Sequence, residues 1–500
     1  MNHTPSFLNP PSEEDPKWIH VPGVKRVYNR NILLAVLLIS LAMSLIQVSS
    51  VDVILSALAD GIGATQSQMQ WVLAGYALAI GITLVPAGRL GDQIGRSIMF
   101  TIGLFLFSVM SVGCALSNDA TVLNIFRIGQ GMAAGFYSPQ TTGLIQQYFQ
   151  GQARARAFSM FGLVVGASVA FGPVLSGFLI EHFGHQTGWR LSFLINLPLG
   201  LIGVIASLRY LPFSKEREHF RRPKSAPREH VDLDPLGTVL LVGTVLSIML
   251  PFIVKDEPWI WSLLPLAAIL GFSWIKWEGL YERRGHAPMV NLSLFKLKSF
   301  SYCTGAAAIM FLGSASLFAV LAMYLQIGAG VPALPASMVG FPCAIISAFF
   351  AIWSGKYAIK RGPLLQLMAL VIHAVGVALC IGIVWLVNDG YSFWLFSVPL
   401  LLVGVGQGTI GAVNQTHTML DVPAEHGGTA GGFSQTSQRI TTAIGNTITT
   451  AVFFGIIGHS KDLWQWSLGI TGAFALIVVF LLSAAFVAFL YWRSFYKPRS

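Results

Sequence analysis

Residues Gly88-Arg-Leu-Gly-Asp92-Gln-Ile-Gly-Arg96 form a short polar tract between two apolar runs, each long enough to cross a bilayer. Its three glycines allow a tight connection between adjacent helices. Asp92 and Arg96 put opposite charges at a membrane face, where they can pair with each other or cap a helix end. An ordinary charged loop accounts for the charges but not for three glycines around one Asp.

Outward from this tract the chain is apolar almost throughout. Of its 500 residues, 54% are hydrophobic and only 10% charged, and the mean hydropathy is +0.66. Soluble domains carry about 25% charged residues, so this composition excludes that class. A spanning helix needs about 20 mostly apolar residues. Runs of that kind fall at about 31–59, 70–88, 97–117, 119–146, 155–180, 190–210, 235–254, 259–276, 300–325, 335–355, 364–387, 391–413, 429–456 and 466–491. The fold class expected is therefore an all-α polytopic membrane protein with fourteen transmembrane helices. Cys114, Cys303, Cys343 and Cys380 all lie in apolar runs and form no close-spaced pair, so they read as small buried hydrophobes. About the first thirty residues are polar, and no cleavable signal pattern precedes the first run.

Numbering the connecting segments alternately separates the basic residues almost completely. One side holds Lys17, Lys25, Arg26, Arg30, Arg89, Arg96, Arg154 and Arg156, the basic residues from Arg209 to Arg228 and from Lys276 to Lys298, then Lys356, Lys360, Arg361, Arg493, Lys497 and Arg499. The other side has Arg190, Lys255 and Lys461, while Arg127 and Arg439 fall inside runs. Basic residues concentrate on the cytoplasmic side, so both termini are expected inside. The net charge of +10 is then a topology signal. Nucleic-acid binding wants one basic patch instead of charges spread over most of one side. The run Lys215 to Arg228 reads as a solvated linker, with anionic lipid headgroups as its other reading.

The chain also repeats itself weakly. Gly88 and Gly95 are matched by Gly355 and Gly362, and Arg127-Ile-Gly-Gln-Gly131 by Gly404-Val-Gly-Gln-Gly408. Two echoes in one order imply two six-helix halves with two helices inserted between them. The expected organisation is a cytoplasmic tail over 1–30, an N-terminal half over 31–211, a linker over 212–232, the inserted pair over 233–285, a C-terminal half over 286–492 and a tail over 493–500. Asp92 has Ile359 as its counterpart and Arg127 has Gly404, so the charges concentrate in the N-terminal half.

These features resemble the major facilitator superfamily. The tract at 88–96 resembles its loop between helices two and three, departing at Gln93 and Ser97, where that family often has basic residues. Pro212-Phe-Ser-Lys215, Val231-Asp-Leu-Asp-Pro235 and Ala287-Pro-Met-Val-Asn-Leu-Ser-Leu-Phe-Lys296 resemble its fourteen-helix drug:proton antiporters of the actinobacterial type. Gly166-Ala-Ser-Val-Ala-Phe-Gly172-Pro173-Val-Leu-Ser-Gly177 resembles the antiporter signature of helix five, with Ser176 where a second glycine is usual. Ser50-Val-Asp52 resembles the acidic motif of helix one, although the residues after it lack the usual Thr, Asn and Pro. The resemblance implies a proton-coupled antiporter that exports small lipophilic compounds by alternating access. The alternative is a proton-coupled carrier of the same fold for one metabolite or lipid-like solute.

Residue chemistry adds candidate roles. Arg127 lies about eight residues from the outer end of its run, roughly 12 Å deep. Asp52 lies about seven residues in, roughly 11 Å deep. An intramembrane charge needs a partner or a wet cavity, so these two are the proton-coupling candidates. Gly88, Asp92, Gly95 and Arg96 are the gating candidates. Pro173 should kink the fifth helix, while Gly166, Gly172 and Gly177 permit close packing. Gln130, Gln140, Gln326, His373 and Asn414 are cavity candidates; a buried His is more often hydrogen-bonded between helices than titrating. No Walker loop, nucleophile elbow or metal-ligand cluster is legible, so an enzyme, a cofactor and a metal are not expected. The expected partners are a small-molecule substrate, protons and the lipid bilayer, with no nucleic acid. The expected setting is the bacterial inner membrane, as a monomer.

Overall fold

Helix starts follow the capping chemistry of the sequence. The computed structural model describes residues 18–21, 26–213, 232–254, 257–458 and 462–496. Asn29 accepts from the Asn31 amide at 3.0 Å to open α1 (Arg30–Ile62). Thr65 and Gln68 form a reciprocal capping box at the start of α2 (Gln66–Ile94), which satisfies amides the first turn leaves free. Gly95, at φ 138°, turns the chain into α3 (Arg96–Leu116). Asp119 caps α4 (Ala120–Tyr148) by accepting from Thr121 at 2.6 Å. Next come α5 (Gly151–Leu194) and α6 (Asn196–Tyr210).

The inserted pair is α7 (Pro235–Ile253) and α8 (Leu263–Arg283). The C-terminal half holds α9 (Lys298–Ser314), α10 (Leu317–Met323), α11 (Ala333–Met338), α12 (Phe341–Gly355), α13 (Ala358–Asn388), α14 (Ser397–Thr418), α15 (Gly427–Ile457) and α16 (Leu463–Tyr496). The two halves meet where α2 and α4 face α15 and where α5 faces α12 and α14, while α7 lies against α2 and α15.

Among the described residues, twelve helical stretches are long and apolar enough to cross a membrane. The fourteen runs expected from sequence are not matched one for one. The fifth and sixth form one 60-residue stretch, Gly151–Tyr210, reversed at Gly184 with φ 75°. There Gly188 folds back so closely that a Cβ would lie 2.5 Å from the Ile180 Cα. The fourth run is helical as α4 but is not among the twelve. Its Arg127, Gln130, Gln140, Gln146 and Gln147 lower its apolarity.

The expected tail over 1–30 also carries structure. Trp18–His20 (β1) pairs antiparallel with Val27–Asn29 (β2), and Ile19, Val21 and Tyr28 are buried in the N-terminal core. Most of the linker 212–232, with its run Lys215 to Arg228, lies outside the described residues. The four cysteines are buried and unpaired.

Candidate functional site

The polar tract is the last turn of α2 and the first of α3, and it closes one end of the molecule. Asp92 is buried beneath the N-terminus of α15. It accepts from the amides of Gly428 at 3.0 Å and Thr429 at 2.8 Å, and from the Thr429 hydroxyl at 2.8 Å. Arg96 pairs with it at 2.5 Å and also reaches the carbonyls of Gly143 and Ala424. The free amides and macrodipole of a helix start favour a carboxylate at that point. The approach requires glycine on both sides, because a Cβ on Gly88 would lie 2.4 Å from the Gly428 carbonyl oxygen. Of the expected gating residues, Gly88, Asp92 and Arg96 come together at a contact between the halves, and Gly95 turns the chain from α2 into α3.

Gln93 and Ser97, the departures from the usual tract, anchor neighbouring segments. Gln93 donates to the Asp232 carbonyl at 2.5 Å and Ser97 to the Pro212 carbonyl at 2.6 Å. Arg89 reaches the Ala287 carbonyl at 3.1 Å. Burial opposes charge on Asp232, but hydrogen bonds from Tyr281 and from the Asp234 and Ala287 amides hold its carboxyl below the usual range.

The same end is sealed elsewhere by side chains that donate to main-chain carbonyls. Gln146 donates to the Met419 and Val422 carbonyls, and Arg154 to that of Leu420. In the second copy of the repeat, Gln152 donates to the Gly355 and Lys356 carbonyls at the C-terminus of α12. This contact occupies the place that the carboxylate lock holds in the first copy, consistent with Ile359 standing opposite Asp92. Farther along, Ser138 donates to Gln435 at 2.6 Å and Thr436 to the Gly81 carbonyl at 3.2 Å. Beyond Thr436, the described hydrogen bonds of α15 run only to its own half and to α7. Among the described residues, the hydrogen bonds between the halves lie toward the basic end.

Arg127 is buried in α4. Its Nε donates to the Val72 carbonyl at 3.0 Å, and a terminal nitrogen to Gln130 at 2.7 Å. Gln130 in turn donates to Ser111, and the guanidinium lies 4.4 Å from the Tyr76 ring centroid. Gly131 lets α2 approach, since a Cβ there would lie 2.5 Å from the Tyr76 carbonyl oxygen. Its echo Gly408 behaves alike: a Cβ there would clash with the Ser347 carbonyl oxygen of α12. Asp52 lies on α1, which continues to Ile62, so it sits ten residues from that end, about 15 Å instead of 11 Å. Its side chain lies outside the described residues; α1 packs against α4.

In α5, Pro173 lies inside the helix. Gly172 meets α1, where Ser50 donates to its carbonyl at 3.0 Å. Gly166 faces Ser347 of α12, and Gly177 has open space around its Cα.

The cavity candidates mostly prove to be seam residues. Gln130 holds Arg127, Gln140 donates to the Ala87 carbonyl at 2.7 Å, and Asn414 accepts from Gln366 at 2.7 Å within the C-terminal half. His373 is buried against Gly406 between α13 and α14. Neither of its ring nitrogens has a hydrogen-bond partner, against the expectation of a hydrogen-bonded His. Gln326 is exposed on the π-helical turn Tyr324–Gly328. Gln130, Gln140 and Asn414 each took a partner inside the packed bundle, which sequence spacing does not identify. Sequence reading also missed Glu278, which is buried in α8 and accepts from Trp274 at 2.8 Å. The apolar run ends at 276, but the helix continues to Arg283.

Comparison with known proteins agrees with this architecture. The chain is 29% identical over 430 residues to a probable actinorhodin transporter of Streptomyces coelicolor, covering 85% of this chain and 72% of that one. It is 27% identical to the tetracenomycin C resistance and export protein of Streptomyces glaucescens, covering 82% and 73%. Its fold superposes on a human organic anion transporter with a TM-score of 0.64 at 12% identity, covering 92% of this chain and 99% of that chain. Residues 37–446 match the sequence profile of the Major Facilitator Superfamily, and the chain belongs to that superfamily.

Proposed function

We propose that this protein is a proton-coupled antiporter that exports small lipophilic compounds by alternating access. The observation that carries the reading is a two-half bundle held shut at one end by contacts that include a buried carboxylate, Asp92, on the N-terminus of α15. Such a contact is a two-state element, able to break and reform as the halves rock. The export direction is supported by the relative described as a resistance and export protein.

The asymmetry of basic residues supports placing the closed end and both termini in the cytoplasm. In this reading Gly151–Tyr210 crosses twice and α4 once, giving fourteen crossings, and the domain boundaries stand as expected from sequence. The protein works as a monomer in a bacterial inner membrane. Arg127 and Asp52 carry the coupling: protonation of Asp52 weakens its attraction for the guanidinium, and substrate competes for the same site.

Everted membrane vesicles energised with a proton gradient test this with a panel of lipophilic compounds. The wild-type protein is expected to accumulate at least one compound, and a protonophore to collapse the accumulation. Asp52→Asn should abolish proton-driven accumulation and keep some downhill exchange. Full proton-driven accumulation by Asp52→Asn overturns the coupling assignment.

A further inference from the structure

Antiparallel register places one more charge at the junction of the halves. Gly428 of α15 meets Gly88 of α2, Gly432 meets Leu84, and Thr436 meets Gly81. Each step outward on α15 is matched by a step back on α2, so Arg439 comes level with Tyr76. It lies twelve residues along α15, about 18 Å from its start, just beyond the last hydrogen bond between the halves. On α4 the pair Ser138–Gln435 puts Tyr137 one turn away.

The surroundings of Arg439 are unusual for a membrane-embedded cation. It forms no hydrogen bond or ion pair with the described residues, and the groups that interact with it electrostatically are the phenols of Tyr76 and Tyr137. Both phenols are buried, at 3% and 1% exposure, and neither hydroxyl has a hydrogen-bond partner within normal limits. Ser44, whose hydroxyl donates to the Leu41 carbonyl at 3.1 Å, approaches Tyr137 without coming within hydrogen-bond distance. Tyr76 shows its ring face to Arg127, which leaves its hydroxyl free for another partner. A guanidinium and two buried phenolic hydroxyls without hydrogen-bond partners share this junction and form an incomplete hydrogen-bonding site. The missing partner is an acceptor, and a negative one, because a guanidinium fork matches a carboxylate or phenolate oxygen.

Resting on the exporter reading above, we infer that Arg439, Tyr76 and Tyr137 bind the acidic oxygen of the exported compound, so that the substrates are aromatic or lipophilic organic anions. Arg439 supplies the charge and the two hydroxyls orient it. The site sits where the halves separate, so the anion is held by both, by α15 from one side and by α2 and α4 from the other. Such a ligand would register the relative position of the halves, as alternating access requires.

The test uses purified protein in lipid nanodiscs with 2-naphthoate as probe and its neutral carboxamide as the isosteric control. Wild type is expected to bind the carboxylate at least about tenfold more tightly than the amide, the factor that a hydrogen bond to a charged group supplies. Arg439→Gln should lose that preference by weakening carboxylate binding far more than amide binding. Arg439→Lys should keep part of it, and Tyr76→Phe and Tyr137→Phe should each reduce it about threefold, as for a weaker neutral donor. A monodisperse elution profile and a near wild-type melting temperature report that each variant is folded. Equal affinity of wild type for acid and amide, or an Arg439→Gln protein that keeps the full preference, overturns the inference. Transport separates the two readings. Proton-driven export of uncharged compounds without acid preference leaves the exporter standing and removes the anion site. Arg439-dependent acid binding without any proton-driven flux does the reverse.

Discussion

The Asp92→Asn protein is expected to bind substrate with near wild-type affinity but to export it at least about tenfold more slowly. Asparagine keeps one acceptor oxygen, so part of the contact with the Gly428 and Thr429 amides survives. The charge is lost, and with it the attraction of the α15 N-terminus and the pairing with Arg96. Hydrogen bonds to charged groups contribute about 1.5–3 kcal/mol and a helix start about 0.3–2 kcal/mol. A loss of about 2–3 kcal/mol shifts the balance between closed and open basic end by roughly 30- to 150-fold. The cycle then stalls on reclosing. Affinity changes little because Asp92 lies in the seal, away from the junction around Tyr76. Binding measured in detergent and flux measured in vesicles separate the two effects. Equal losses of both contradict a gating role.

Arg127→Ala is expected to be more damaging, with proton-driven accumulation reduced about 100-fold or more, beyond the loss of one charged contact. Arginine here holds the Val72 carbonyl and Gln130, and through Gln130 it orders Ser111. Each buried polar group left without a partner costs about 1–3 kcal/mol, and the lost contact with the Tyr76 ring about 0.5–2 kcal/mol. The protein should therefore melt at lower temperature as well. Arg127→Lys separates stability from coupling. A lysine keeps the charge and part of the packing but cannot reproduce the fork that spans two acceptors. It should recover most of the thermal stability and little of the accumulation. Full proton-driven accumulation by Arg127→Ala would show that this guanidinium has no part in coupling.

What could be read from sequence and what could not divides along one physical line. The tract around Asp92 was legible because charges and glycines at a membrane face have few uses, and Gly88, Asp92 and Arg96 meet the N-terminus of α15 at one contact. Arg127 was legible because a charge inside an apolar run is costly wherever it points. The direction in which neutral polar residues point was not legible. One residue of a helix is rotated about 100° from the next, so Gln130, Gln140 and Asn414 fall into seams, whereas Arg439 faces the other half. Tyr76 and Tyr137 could not be singled out among aromatics making up 12% of the chain. Only the register of α15 against α2 brings them to Arg439. The break at Gly184 was hidden too, because a glycine between two apolar runs does not say where the chain reverses.

The closed basic end should open once in every transport cycle, and a reversible cross-link tests this directly. A Cβ built on Gly431 of α15 would lie 3.0 Å from the Thr142 Cβ of α4, within about an ångström of the usual disulfide spacing. Thr142→Cys and Gly431→Cys, made together, should oxidise readily, each single variant serving as control. The oxidised protein is expected to keep binding substrate from the outer side, to lose transport, and to regain it on reduction. A cross-linked protein that transports at the rate of its reduced form would contradict the account.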